Sequence, residues 1–193
     1  MNSTQNTITI KTFNDHETRE AGRKLGSLIR STNNTISLNH EKEIIKKTQV
    51  FDSQHRRRIA IALYGGLGAG KTTFVQGFAK GLGVPEQYYV TSPTYNIINE
   101  YPTEKMDTKN SLMLYHMDLY RLGSPDELEY IGFDDIAASN NSVIIIEWPD
   151  IIDETIIKFD LTIHITTDQD FNRKISFIPS GLEGSNLLNQ LAV

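Results

Sequence analysis

Near the N-terminus, Ala21, Leu25, Leu28 and Ile29 stand at i, i+4, i+7 and i+8, behind an Asn14-Asp15-His16-Glu17 stretch with capping-box spacing. The spacing predicts a helix over about 15–30 with one buried face. From Ile59 the pattern changes to a continuous apolar run, Ile59-Ala60-Ile61-Ala62-Leu63-Tyr64, short enough to be a strand buried on both faces. A second helix is predicted over Lys71 to Leu82, with Phe74, Val75, Phe78 and Leu82 on one side and Gly83 and Pro85 as its stop. Further strands are predicted at 95–101, 112–119, 143–148, 159–166 and 174–178. Between them, Ser124-Pro125-Asp126-Glu127 combines a Ser cap, a Pro at the first helical position and a Glu at the third, which marks a short helix ending at Gly132. Strands outnumber helices after residue 90, so an α/β core with some antiparallel strands is expected.

Composition narrows this picture. A chain of 193 residues with 38% hydrophobic content suits a single domain over 1–193, because chains split into several cores only beyond about 250 residues. Nineteen Lys and Arg against 24 Asp and Glu leave a net charge of −5, without a global cationic field for holding duplex nucleic acid. The charge is uneven. Residues 41–58 carry Lys42, Lys46, Lys47, Arg56, Arg57 and Arg58 against Glu41, Glu43 and Asp52, which makes that stretch +3 and the remainder −8. With the Ser-, Thr- and Asn-rich residues 31–40, it reads as an inserted segment at about 31–58, either a solvated, partly helical loop or a docking patch for RNA or an acidic partner. The chain has no cysteine, so disulfides, thiolate catalysis and cysteine zinc sites are excluded. Apolar runs such as Val143–Ile146 fall far short of the roughly 20 residues needed to span a bilayer, and the N-terminus lacks the features of a secretory signal. A cytoplasmic protein that does not enter a membrane is expected.

The segment Gly65-Gly66-Leu67-Gly68-Ala69-Gly70-Lys71-Thr72 fits G-x-x-x-x-G-K-[ST] and lies between a predicted buried strand and a predicted helix. Glycines let backbone N–H groups turn inward around a phosphate, and the following helix aims its positive end at the same anion. Lys71 supplies a point charge for β- and γ-phosphates, and the Thr72 hydroxyl is placed to ligate Mg²⁺. Such a site also needs carboxylates at neighbouring strand ends. Glu147 closes the run Val143-Ile144-Ile145-Ile146 and is the better Walker-B-like candidate; Asp118 follows the alternating segment 112–117.

Four motifs then occur in one register: Gly68-Ala69-Gly70-Lys71-Thr72-Thr73-Phe74, Ser92-Pro93-Thr94-Tyr95, His116-Met117-Asp118-Leu119-Tyr120-Arg121-Leu122 and Glu147-Trp148-Pro149. In order and spacing they resemble the TsaE family, formerly called YjeE, over roughly residues 10–180, and Pro125 to Gly132 resembles the helix that follows DLYRL there. The resemblance implies a P-loop NTPase-like three-layer α/β sandwich with a mixed sheet containing some antiparallel strands. It further implies an ATP- and Mg²⁺-dependent ATPase of tRNA threonylcarbamoyladenosine (t6A) formation that acts with TsaB and TsaD. That pair modifies A37 of tRNAs reading ANN codons, so tRNA would be met through the complex.

Carried over, Gly66, Leu67, Gly68, Ala69, Gly70, Lys71, Thr72 and Thr73 would hold the phosphates, and Thr72 with Glu147 would hold Mg²⁺. Lys71, Asp118 and Glu147 would serve catalysis, Asp118 as a switch acid. Thr94 would lie near the γ-phosphate, Trp148 beside the site, Arg173 near the base, and residues around Asp15 to Thr18 along the adenine pocket. Two departures stand out: Gly66 occupies a position where the family usually has Asp, and the 31–58 segment is longer than the usual linker.

His116 reads as a packed or pairing strand residue, and Arg121 either neutralises γ-phosphate charge or pairs with Asp126 or Glu127. A small-molecule kinase is the rival enzyme class, although only Arg121 and Arg173 lie downstream of the loop to close over a phosphoryl group. A GTPase would need an Asn-Lys dipeptide and an Asp-x-x-Gly, which the chain lacks after the loop. A binding module with a structural nucleotide is the third reading.

Overall fold

A computed structural model describes residues 7–44, 58–103 and 112–191. The elements are β1 (Ile8–Thr12), α1 (Asp15–Ile44), β2 (Arg58–Tyr64), α2 (Lys71–Leu82), β3 (Ile98–Pro102), β4 (Met113–Asp118), α3 (Glu127–Tyr130), α4 (Phe133–Ala138), β5 (Ser142–Glu147), β6 (Leu161–Thr167), β7 (Arg173–Pro179) and α5 (Gly181–Leu191). The strands form one seven-stranded mixed sheet in the order β1-β7-β6-β2-β5-β4-β3. Its centre, β6-β2-β5-β4, is parallel, and β3, β7 and β1 add antiparallel edges. The expected α/β sandwich with some antiparallel strands is the architecture observed.

The two faces of the sheet bury separate clusters. On one, Ile61, Leu63, Ile145 and Leu114 meet Leu25, Phe74 and Phe78 from α1 and α2, and Leu187 and Leu188 from α5. On the other, Ala60, Ile144, Ile146 and Met117 meet Leu128 of α3 and Phe133 and Ile136 of α4. Central strands covered on both faces must be apolar throughout, which is why β2 and β5 read as continuous hydrophobic runs.

At α1 the first bond of the capping box forms as its spacing predicts, and the return bond goes to the residue before the cap. Asn14 Oδ1 accepts from Glu17 N at 2.9 Å, and Glu17 Oε2 accepts in turn from Phe13 N at 2.9 Å. The helix continues past the predicted end near residue 30 to Ile44. No Gly or Pro interrupts it beyond Gly26, and the Ser31 and Thr32 hydroxyls bond back to the Leu28 carbonyl at 2.8 and 3.0 Å instead of breaking the turn. Most of the basic stretch, residues 45–57, lies outside the described residues.

Other boundaries shift. Tyr95 lies exposed in a turn and Ile97 has φ 66°, so β3 begins only at Ile98. The predicted helix at 124–132 is shorter, Glu127–Tyr130 with no side-chain cap bond at its start; Glu127 Oε1 accepts from Gly123 N at 2.8 Å and from Ser124 N at 3.1 Å, the latter being the return bond of the expected capping box. Gly132, in the left-handed region, then opens α4.

α1 and α2 cross with their backbones nearly touching. A Cβ at Gly22 would run into Phe74 O, one at Gly26 into Phe78 O, one at Gly77 into Arg19 O and one at Gly81 into Arg23 O. Each helix therefore presents two glycines, four residues apart, to the other's main chain. Alanine is a better helix former than glycine by about 1 kcal/mol. Gly77→Ala is nevertheless expected to destabilise the protein by about 1–3 kcal/mol, because backbone cannot yield as a side chain can. Chemical denaturation measures this, and a stabilised Ala variant would mean that the helices separate without cost.

Candidate functional site

The sheet's register assembles the site. Asp118 at the end of β4 is the direct neighbour of Glu147 at the end of β5, and Glu147 is also in register with Leu63 of β2, just before the phosphate loop. Both carboxylates and the start of α2 border one cleft of about 400 Å³, lined by the loop residues Leu67 to Thr73, by Ser92 and Thr94, and by Trp148 and Arg173. The expected phosphate-loop, carboxylate, Thr94, Trp148 and Arg173 positions thus converge, all but Gly66 lining this cleft, and of the stretch from Asp15 to Thr18 only Asp15 lines it.

The loop has the form an anion requires. Gly68 and Gly70 sit in the left-handed region, φ 74° and 99°, where a side chain would be strained. α2 starts without a side-chain cap, so its first N–H groups remain for a ligand. Space around Gly66 is open, with no atom within 4 Å of a Cβ built there.

Lys71 is only 6% exposed. Its Nζ donates to Gly65 O at 2.8 Å and Gly66 O at 3.2 Å, and lies 4.0 Å from the centroid of the Trp148 indole. Burial holds its pKa below the ordinary value of 10.5, while the negative charges of Glu147, Asp118 and Asp150 pull the other way. The amine is folded back on the carbonyls of its own loop.

Trp148 faces Lys71 because the strand stops at Glu147. With φ 55° and ψ 55° the residue leaves the extended conformation, and Pro149 opens a 3-10 turn behind it. Strand alternation alone would have sent the indole to the opposite face from Glu147. The left-handed backbone, uncommon for a residue with a Cβ, instead turns it against Lys71 and against Tyr120, whose ring centroid lies 5.0 Å away. Trp148 is the only tryptophan, so if the cleft takes ATP·Mg²⁺ and Lys71 leaves the indole for it, intrinsic emission is expected to change. Trp148→Phe should bind ATP with similar affinity but turn it over more slowly; an emission spectrum indifferent to nucleotide would show that Lys71 does not move.

Asp118 is engaged by the Ser92-Pro93-Thr94 loop. Its Oδ2 accepts from Ser92 Oγ at 2.6 Å and Thr94 Oγ1 at 2.9 Å, and its Oδ1 accepts from Tyr120 N at 3.1 Å. In this arrangement the acid tethers the loop. Ser92, to which the sequence motifs assign no role, belongs to this cluster and lies within the Ser92-Pro93-Thr94-Tyr95 motif.

Glu147 is 2% exposed, and its Oε1 accepts from Thr72 Oγ1 at 3.2 Å and pairs with His116 Nε2 at 2.9 Å. His116 is therefore both packed and paired, and its partner is a site carboxylate. Arg121 lies 4.5 Å from the centroid of Tyr95 and not against Asp126 or Glu127, the latter being turned to its capping bonds. Arg173 ties three elements together: Nε donates to Ala69 O at 3.1 Å, one terminal nitrogen to Thr18 Oγ1 at 3.3 Å, and the other to Asp15 Oδ1 at 2.7 Å. The residues at the start of α1 thus meet the phosphate loop through Arg173.

Thr72, Glu147 and the adjacent Asp118 offer only oxygen donors, which suits magnesium, a hard cation that keeps waters and takes further oxygens from phosphate. Lys71 and the uncapped start of α2 suit the phosphates themselves.

The family model described as threonylcarbamoyl adenosine biosynthesis protein TsaE matches residues 13–175. The chain belongs to the TsaE family. It is 37% identical to the tRNA threonylcarbamoyladenosine biosynthesis protein TsaE of Bacillus subtilis over 158 residues, covering 82% of this chain and 91% of that protein. The protein of the same name from Haemophilus influenzae is 35% identical over 133 residues, 69% of this chain and 78% of its own length. The crystal structure of YdiB from Bacillus subtilis superposes with a TM-score of 0.67 at 27% identity, covering 99% of this chain and 97% of that one. Among the described residues of this TsaE family member, no helix is long and apolar enough to cross a membrane.

Proposed function

We propose that this chain is a Mg²⁺-dependent ATPase of t6A formation, a single cytoplasmic P-loop domain carrying an inserted segment at about 31–58, which works with TsaB and TsaD on A37 of tRNAs reading ANN codons. The observation that carries the reading is the juxtaposition of an uncapped helix start and Lys71 with the Thr72–Glu147 pair across one cleft. Names of the relatives support the pathway; the cleft supports the chemistry.

In this reading the loop N–H groups and Lys71 bind and orient the phosphates, and Thr72 with Glu147 holds magnesium, whose bound form neutralises phosphate charge. Asp118 governs the Ser92–Thr94 loop, so that Thr94 can exchange its bond to Asp118 for one to the γ-phosphate. Arg173 holds the phosphate loop against the start of α1, where the base would lie.

The rival kinase reading needs arginines free to close over a phosphoryl group. Both candidates are committed elsewhere, Arg173 to Ala69, Thr18 and Asp15 and Arg121 to Tyr95. A structural nucleotide would instead leave turnover absent under all conditions. Phosphate release by the chain alone and with TsaB and TsaD tests the proposal: turnover that rises with the partners supports it. Absence of hydrolysis in the full assembly would leave a nucleotide-binding module, and phosphoryl transfer to a small molecule would favour the kinase.

A further inference from the structure

His116 stands in β4 between Leu114 and Asp118, alternate residues that share the sheet face covered by α1 and α2. It is fully buried, at 0% exposure, in a strand whose core-facing positions would otherwise be filled by aliphatic side chains. A buried imidazole is retained at a cost unless its polar atoms are satisfied. One of them is: Nε2 lies 2.9 Å from Glu147 Oε1. The other, Nδ1, is buried and has no hydrogen-bond partner among the described residues.

This asymmetry sets the tautomer. An ionised carboxylate can only accept, so the proton of the Nε2–Oε1 bond must sit on Nε2. A proton on Nδ1 would instead leave a buried donor with nothing to receive it and set two acceptors, Nε2 and Glu147 Oε1, against each other. The arrangement is satisfied by an imidazole that carries its proton on Nε2 and donates it to Glu147.

We propose that His116 is a positioning residue for Glu147, fixing the carboxylate by the Nε2–H bond so that one oxygen is clamped and the other is kept for the cleft. Both bonds to Glu147 fall on Oε1, from Thr72 and from His116, and Oε2 receives none among the described residues. Thr72 is itself part of the phosphate loop's machinery, whereas His116 has no other bonding partner among the described residues. His116 is thus the anchor that does not depend on what occupies the loop. The relation resembles that between a metal ligand and the outer group that orients it, whose loss typically costs 10- to 100-fold in metal affinity or activity. The proposal rests on the ATPase reading of Glu147.

Two substitutions in the full chain separate positioning from packing. His116→Gln places an amide nitrogen about where imidazole Nε2 stood, and His116→Asn about where Nδ1 stood, so only the first can reach Glu147. In the presence of TsaB and TsaD, His116→Asn should lower kcat or raise the half-saturating Mg²⁺ by about 10- to 100-fold with KM for ATP little changed, while His116→Gln stays within about threefold of the wild type. Equal behaviour of the two variants, whether both active or both impaired, overturns the proposal. Should neither fold, imidazole nitrogen spectra of the wild-type protein decide: a proton on Nε2 of His116 supports it and a proton on Nδ1 overturns it. Glu147→Gln is the reference. If that variant hydrolyses ATP normally, the reading of Glu147 has failed; if it is impaired and His116→Asn is not, only the positioning role has failed.

Discussion

Lys71→Ala is expected to weaken ATP binding by about 10- to 150-fold and to abolish measurable turnover, since a hydrogen bond to a charged group is worth about 1.5–3 kcal/mol. The fold should not suffer. Lys71 is buried against polar carbonyls and an indole face, and burial already disfavours its charge, so the variant loses a desolvated ammonium and little apolar contact. The sign follows from linkage. A lysine whose folded pKa lies below 10.5 destabilises the folded state at neutral pH, and this penalty fades as pH rises from the folded value through 10.5. The nucleotide-free variant should therefore melt no lower than the wild type near pH 7, and the difference between the two should shrink in alkaline buffer. Nucleotide titration and thermal melting on the same samples check both halves. Undiminished ATPase activity in the complex would remove the phosphate-loop assignment, and a large fall in melting temperature would mean that Lys71 is structural.

What could be read in advance was local in the chain. Gly65 to Thr72 is eight consecutive residues whose form is set by glycines and by a flanking strand and helix, and β2 and β5 declare themselves because burial on both faces leaves only apolar residues. Glu147 follows directly, as the first polar residue after such a run. Edge elements were less legible. β1 carries an alternation, Ile8 and Ile10 between polar neighbours, but its pairing partner β7 lies more than 160 residues away and nothing nearby announces it. α5 shows helical spacing only through Leu187, Leu188 and Leu191, and its docking depends on Gly184 meeting Asp160.

Contacts between distant segments were hidden for the same reason. Gly22 and Gly26, or Gly77 and Gly81, are unfavourable residues in a helix when read singly and become intelligible only as two halves of one crossing. Resemblance puts Arg173 near the base, yet its bonds to Ala69, Thr18 and Asp15 depend on β7 lying beside β1. The orientation of Trp148 turns on a left-handed backbone that a tryptophan does not signal. His116 was legible as packed, but the bond to Glu147 needed the register that sets β4 beside β5.

Glu147→Gln should have the second large effect, on Mg²⁺ dependence and turnover more than on nucleotide affinity. The substitution keeps the volume and can still accept from Thr72 and His116, so the local hydrogen bonds are conserved while the charge is lost. At an effective dielectric of about 20, one unit charge about 5 Å from another is worth roughly 3 kcal/mol, and a divalent cation feels more. A rise in half-saturating Mg²⁺ on the order of 100-fold is therefore expected, with kcat reduced even at saturating metal. The phosphates, held by Lys71 and the loop N–H groups, keep most of their contacts, so ATP measured without Mg²⁺ should bind the variant at least as well as the wild type: a negative charge has left the cleft. That opposite response, stronger without metal and weaker with it, distinguishes loss of a metal carboxylate from general damage to the site. A variant whose Mg²⁺ dependence is unchanged, or a nucleotide-bound structure with Glu147 more than one water shell from the metal, would move the metal site away from Glu147 and leave Asp118, its neighbour on β4, as the carboxylate to examine.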